Sequence, residues 1–422
     1  MISAIPRIIL AFLNTEVNDD HITTILLWQQ NGIFPSARDC WECFQPPLFY
    51  FLVKTINTVT GLATYDGLFT TIQVFNFILS ISISWITIWF ISTLKLNRLL
   101  SVSLALFWAL NPELISIGAL ATNDSLVILL GIITSLAFMR YLYKESLKME
   151  LVLFSLLLLL GITKGNGLLF IGITTFIICI KSIYTKQLLS IPTLRRIMLM
   201  IVTLLGIAYS GQYVKKHQEF NNPFITNADP SVEKAKWDTP GTIKFRKGVN
   251  TIKEAVFHFP IISLLETPYN KNGDDNDQLH RQNIWTQMLG QYSNYVFERH
   301  PTRWVSINND MENFARANII LILGLVAFGI IGLILTFSQN RSTFNLTQVF
   351  HLVAISVFIL FTINYSIKFR DFSFIKVVFL YPTYISLMAL SAKGFSYWSK
   401  PKIFSLAAYK YAIIPNQLYI PG

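Results

Sequence analysis

Three short polar stretches of this chain carry side chains that could do chemistry. The first holds Asp19-Asp20-His21, an acidic pair beside an imidazole, and continues to Trp41-Glu42 and Gln45-Pro46-Pro47-Leu48-Phe49-Tyr50. The second is Asn123-Asp124-Ser125 and the third is Thr163-Lys164-Gly165-Asn166-Gly167. Adjacent carboxylates take a proton as general base, hold a hard cation, or are simply solvated. Asp20 also precedes the helical apolar pattern Ile22, Ile25, Leu26, so it could cap a helix instead. Asp124 opens an apolar run and has the same second role. Lys164 lies between two short apolar runs, where a lysine either holds an anion or snorkels to the interface. Lys376 has the same two options. Asp19, Asp20, Asp124 and His21 could together hold a divalent cation, although no metal is required by these residues alone.

The elements that must position these groups are apolar. The chain has 422 residues, 53% hydrophobic and only 14% charged, with a mean hydropathy of +0.49. A soluble chain carries about 25% charged residues, so lipid is the main solvent expected here. The net charge of +11 does not indicate nucleic acid, because the cations punctuate apolar runs rather than forming a basic face. Cys40 and Cys43 form a C-x-x-C with no second pair to complete a zinc site, leaving a small disulfide or two thiols. Cys179 lies in an apolar run, where packing is expected. No cleavable signal peptide is expected.

Met1 to Leu13 is apolar but short for a span and contains Pro6 and Arg7, so it reads as a truncated first span or an interfacial helix. Residues 14–47 form a polar first loop. Leu48 to Ala63 carries Lys54 and reads as interfacial. Spans are expected at Leu68–Leu94, Leu99–Leu120, Leu126–Met139, Leu151–Ile162, Gly167–Ile180 and Ile197–Tyr213. Val214 to Ala317 is polar and reads as an extramembrane insert, with aromatics that suit a compact lid. Asn318–Phe337, Phe350–Ile367 and Phe372–Ala392 follow as spans. The fold expected is an all-α polytopic membrane protein: a membrane region at 1–213, an insert at 214–317 and a second membrane region at 318–422, with roughly 9–11 spanning helices.

Short-loop cations fix the orientation. With the Asp19-Asp20 segment outside, the inner loops hold Lys95, Arg98, Arg140, Lys144, Lys148, Lys181, Lys186, Arg195, Arg196, Arg341, Lys393, Lys400 and Lys402. The outer loops then hold only Arg38, Lys164, Lys368 and Arg370. The acidic pair, Asp124, Lys164, the insert and Arg370 therefore share one extracytoplasmic face.

These motifs, in this order, resemble multi-pass glycosyltransferases of the GT-C fold, the class of dolichyl-phosphate-mannose protein mannosyltransferases and bacterial aminoarabinose transferases. Such proteins often show an acidic pair with a nearby His in the first outer loop, then a segment like Q-P-P-L-Y-Y, an N-D opening a later span and a T-K-x-x-G. A late R-Y-L-x-P has as its nearest match Lys376 to Pro382. The family pair is usually Asp-Glu where this chain has Asp-Asp, and the late arginine is replaced by Lys376 two positions earlier. The resemblance covers about Asn18 to Pro382.

The resemblance implies a GT-C-like helical bundle in a bacterial inner or plasma membrane. It implies inverting transfer of a sugar from a polyprenyl-phosphate donor to a glycan, lipid or protein acceptor outside the cytoplasm. Asp19 is the first choice of base and Asp20 the second. His21, Glu42, Gln45, Asp124, Lys164, Arg370 and Lys376 bind substrate, the cations facing the donor phosphate. No nucleic-acid partner is expected. Two other classes compete. A polyprenyl-linked sugar flippase or other transporter would line a path with charged residues, for which His351 and Lys376 are the candidates. A non-catalytic scaffold would tolerate loss of Asp19 and Asp20.

The orientation is testable. With Cys40, Cys43 and Cys179 replaced, a cysteine at Ser36 should react with an impermeant thiol reagent in intact cells and one at Asn97 should not; labelling at Asn97 alone would invert the topology.

Overall fold

The computed structural model describes residues 2–15, 20–62, 64–94, 96–187, 190–227, 229, 252–257, 259–266, 284–292, 309–338, 346–369 and 376–399. The expectations placed on Asp19 and Arg370 lie outside these residues. All regular elements among them are helical. They run α1 (Ala4–Leu13), α2 (His21–Asn31), α3 (Leu48–Thr60), α4 (Tyr65–Thr93), α5 (Arg98–Ala109), α6 (Pro112–Ile117), α7 (Asp124–Tyr143) and α8 (Leu147–Gly161). A 3₁₀ turn at Gly165–Gly167 leads into α9 (Leu168–Tyr184), α10 (Ile191–Ser210) and α11 (Tyr213–Phe220). Then come α12 (Ile252–Phe257), α13 (Ile261–Glu266), α14 (Ile284–Tyr292), α15 (Asn309–Ser338) and α16 (Leu346–Phe369). A 3₁₀ segment, Val377–Thr383, feeds α17 (Tyr384–Ser399). Among the described residues seven helices are long and apolar enough to cross a membrane, and Ala4–Leu13 and Arg98–Ala109 are shorter apolar helices. The chain is an all-α polytopic membrane protein.

Local signals set the helix ends. Thr64 accepts from Gly67 N at 3.1 Å, Asn97 from Leu100 N at 2.8 Å and Ser146 from Met149 N at 3.3 Å, each relieving an orphan amide of a first turn. Asp124 in the first turn of α7 and Arg140 in its last complement the helix dipole. The run expected as one span, Leu99–Leu120, is broken into α5 and α6. Pro112 has no N–H to offer the carbonyl of Trp108 four residues earlier. Asn111 instead starts a new helix by accepting from Leu114 N at 2.9 Å, and the Trp108 carbonyl accepts from the Tyr384 hydroxyl at 2.6 Å.

Burial separates central from peripheral helices. The Val377–Phe395 span is 89% buried and α7 67%, whereas α10 is 22% buried and turns residues such as Met198 and Val202 outward. Between α7 and the 3₁₀ segment the approach is so close that a Cβ on Gly131 would stand 2.6 Å from the Pro382 carbonyl oxygen. Small residues do the same between α15 and α17, where Gly332 and Gly394 let backbones touch. The helix ends on the side away from the first loop are stapled by charge. Glu150 accepts from Arg195 Nε at 2.7 Å and Arg196 Nε at 2.9 Å, and Glu145 pairs with Lys181 and Arg196. Burial alone would raise the Glu145 carboxyl, but Lys181 and Arg196 hold it below its ordinary value.

One expectation is filled in and one is corrected. α1 is a short apolar helix that packs on α4 and α6 and buries Arg7, which leaves both expected forms standing. Cys179 is exposed on α9, facing away from the core.

Gly131→Ala should destabilise the protein by about 1–3 kcal/mol, because the 3₁₀ segment must shift. Gly172→Ala, with nothing near its Cβ, should be neutral or stabilising by up to about 1 kcal/mol. Thermal melts in detergent read both, and equal melting temperatures for the two variants would contradict the close approach.

Candidate active site

The start of α7 and the turn before α9 meet at one charged contact. Lys164 Nζ donates to Asp124 Oδ1 at 2.5 Å, and Thr122 Oγ1 donates to Oδ2 of the same carboxylate at 2.9 Å. Lys164 itself is extended and caps the 3₁₀ turn, while Thr163 Oγ1 closes α8 by donating to Leu159 O at 2.6 Å. A Cβ on Gly167 would collide with the Leu160 carbonyl, so glycine is what lets the turn fold back tightly enough to aim Lys164 at α7. Lys376, just ahead of the 3₁₀ segment, acts electrostatically on Asp124 as well. Two cations therefore act on one buried carboxylate.

The first loop is fastened to this place. The Cys40–Cys43 disulfide settles the alternative left open by the sequence. Gln45 Nε2 donates to Glu42 Oε2 at 3.2 Å, the Tyr50 hydroxyl donates to the Glu42 carbonyl at 3.3 Å, and His21 Nδ1 lies 2.8 Å from the Tyr50 hydroxyl. His21, Glu42, Gln45 and Tyr50 are all buried. Pro46 and Pro47 then open α3, and Leu48 N donates to Ile162 O at 3.0 Å, two residues from Lys164. From the other side α11 grips the loop: Ser36 Oγ donates to Glu219 Oε2 at 2.6 Å, Lys215 Nζ to the Phe34 carbonyl at 3.2 Å, and Arg38 lies over the Phe220 ring.

The sequence-derived candidates thus divide. Asp124, Lys164 and Lys376 come together, and Glu42 joins them through Tyr365, which feels the charges of Lys376, Glu42 and Asp229. Gln45 is bonded to Glu42, and His21 to Tyr50. Asp20 accepts from Thr23 N at 3.2 Å and caps α2. His351, the other residue weighed for a transport path, is bonded to Ser386 Oγ at 2.9 Å. Among the described residues no three His, Cys, Asp or Glu side chains converge as a metal site; Asp19 is not one of the residues described.

Several polar groups here were not singled out from the sequence. Tyr365 and Asp229 are single residues in unremarkable contexts. Asn123 and Asn166 enter the sequence only as motif letters, yet both are buried and their amide atoms have no partner among the described residues. They flank Asp124 and Lys164 in the chain, where a ligand with both donors and acceptors would satisfy them. Lys216 on α11 lies over the Tyr213 ring at 4.9 Å, and burial pushes its ammonium down to about 7.

No family profile and no curated protein matches the sequence. Among solved structures the chain is similar to ArnT from Cupriavidus metallidurans, crystallised with undecaprenyl phosphate: 12% identity, 95% of this chain and 77% of that one, with a TM-score of 0.37. That likeness is too distant to assign an activity.

Proposed function

We propose that this protein is an integral-membrane glycosyltransferase of the GT-C kind, moving a sugar from a polyprenyl-phosphate donor to an acceptor on the extracytoplasmic side with inversion. The observation that carries the reading is the Asp124–Lys164 pair with Lys376 beside it, set against a disulfide-closed loop that begins at the acidic pair. A lipid-linked donor enters sideways from the bilayer, so its phosphate has to be met by cations at the end of a span rather than by a nucleotide fold.

In this scheme the acceptor oxygen attacks the anomeric carbon from the face opposite the phosphate. The bond from carbon to phosphate oxygen breaks, and its electron pair leaves with the polyprenyl phosphate. Lys164 and Lys376 stabilise that charge in a site with little water. Asp124 holds Lys164 in place until the phosphate arrives. Asp19 takes the acceptor proton late, when bond formation has made it acidic, since an aspartate of pKa about 3.9 is a weak base toward a free hydroxyl. Asp20 is the second choice. Its cap bond gives it a structural role that asparagine can also fill.

The test is transfer of radiolabelled sugar from polyprenyl phosphate in proteoliposomes at matched expression. Asp19→Asn should slow transfer by roughly 10²–10⁴ with donor binding kept. Lys164→Gln should weaken donor binding; the Lys164→Gln, Asp124→Asn double variant removes the unpaired buried carboxylate and separates that loss from misfolding. Turnover near wild type in both Asp19→Asn and Asp20→Asn would end the catalytic assignment and favour a transporter or scaffold.

A further inference from the structure

Well below the Asp124–Lys164 cluster, two buried donors among the described residues, Arg7 Nη2 and Trp108 Nε1, have no partner, and beside them the Asn111 amide serves the hydroxyls of Tyr292, Tyr381 and Tyr384. Arg7, Trp108, Asn111 and Tyr292 are 1%, 4%, 0% and 3% exposed. They come from α1, α5, the α5–α6 break and α14, yet they meet around one pair of tyrosines. Arg7 and Tyr384 interact electrostatically. The Trp108 ring stands edge-on to Tyr384 at 5.0 Å. The Tyr381 hydroxyl donates to Asn111 Oδ1 at 3.3 Å. Tyr292 stacks on Phe107 and lies within electrostatic reach of Tyr381 and Tyr384.

The place is deep in the bundle. Pro382, between the two tyrosines, sits against Gly131, seven residues and so about 10 Å along α7 from Asp124. Ser80, in the middle of α4, receives Arg7 Nε at 2.7 Å, and Arg7 Nη1 donates to Ser3 O at 2.7 Å. Among the described residues no carboxylate forms an ion pair with Arg7; the nearby Glu113 acts on Tyr381 instead.

The chemistry of the unmet atoms is one-sided. Guanidinium and indole N–H groups only donate, and the Tyr292 hydroxyl, which accepts from the Asn111 amide, keeps its own O–H to give. Each buried donor left unmade is costly, and a buried guanidinium without a counter-ion is costlier still. Water would accept from the donors but would leave the charge uncompensated. An oxyanion answers both demands, because carboxylate and phosphate present several acceptor oxygens and a negative charge.

We propose that Arg7, Trp108, Asn111 and Tyr292 form an intramembrane binding site for a single oxyanion, a carboxylate or a phosphate monoester. The site is separate from the Asp124–Lys164 cluster and stands whether or not the chain transfers a sugar. A lipid headgroup and a soluble anion share this chemistry, and both are tried.

The probe is thermal stability of the full chain. One arm adds inorganic phosphate to protein in neutral detergent, against chloride at equal ionic strength. The other compares nanodiscs of phosphatidylcholine with and without phosphatidic acid. Arg7→Met risks unfolding, so the variants are Trp108→Phe and Tyr292→Phe, each removing one donor and keeping its ring packing. Saturable stabilisation in either arm is expected, identifying a soluble anion or a lipid headgroup as the source, with apparent affinity reduced roughly tenfold in each variant. No anion-specific stabilisation in either arm would overturn the proposal and leave water as the occupant. Equal affinity in wild type and both variants would overturn it by placing the anion elsewhere.

Discussion

The contact between Lys164 and Asp124 is the constraint around which the half of this protein that carries the first loop is built. A carboxylate at the mouth of a span is expensive to bury unless a cation meets it and its other oxygen is satisfied. Here Lys164 supplies the charge and Thr122 the second hydrogen bond. The pair ties the start of α7 to the turn between α8 and α9. Through Leu48 N and Ile162 O it also sets the level at which the disulfide-closed loop rests.

Packing carries that constraint inward. α7 is the most enclosed of the long uninterrupted spans, and its glycine face admits the 3₁₀ segment at Pro382. The segment in turn follows Lys376 and carries Tyr381 and Tyr384 toward its far end. One element therefore serves two polar regions about 10 Å apart along the bundle. The opposite rim is held differently, by Glu145 and Glu150 among Lys181, Arg195 and Arg196. Those groups lock helix ends together on the side away from the first loop.

Much of the membrane architecture was legible as apolar runs. The runs at Leu68–Leu94, Asn318–Phe337 and Phe350–Ile367 correspond to α4, α15 and α16, although α15 already starts at Asn309, within the stretch expected as insert. The break at Asn111-Pro112 was written in the chain as a cap residue followed by proline, but the apolar letters on both sides outweighed it. The partners of Arg7 were hidden for a related reason: Ser80 and the Ser3 carbonyl are brought to it only by folding. In the candidate site, charge counting put Asp124 and Lys164 on one face, but nothing in the letters paired residues forty positions apart. Tyr365, Asp229 and Asn166 gave no signal, because a lone tyrosine, aspartate or asparagine gains meaning only from its neighbours in space.

The central claim is that the outer cations meet a lipid-linked phosphate while Asp19 faces the sugar. The most direct measurement is a cryo-EM structure in nanodiscs with a non-transferable phosphonate analogue of a polyprenyl-phosphate sugar. The account predicts the phosphonate within hydrogen-bond reach of Lys164 and Lys376, with the anomeric carbon turned toward Asp19. An analogue bound at the opposite rim beside Arg196, or one held with its phosphonate away from both lysines, would contradict it.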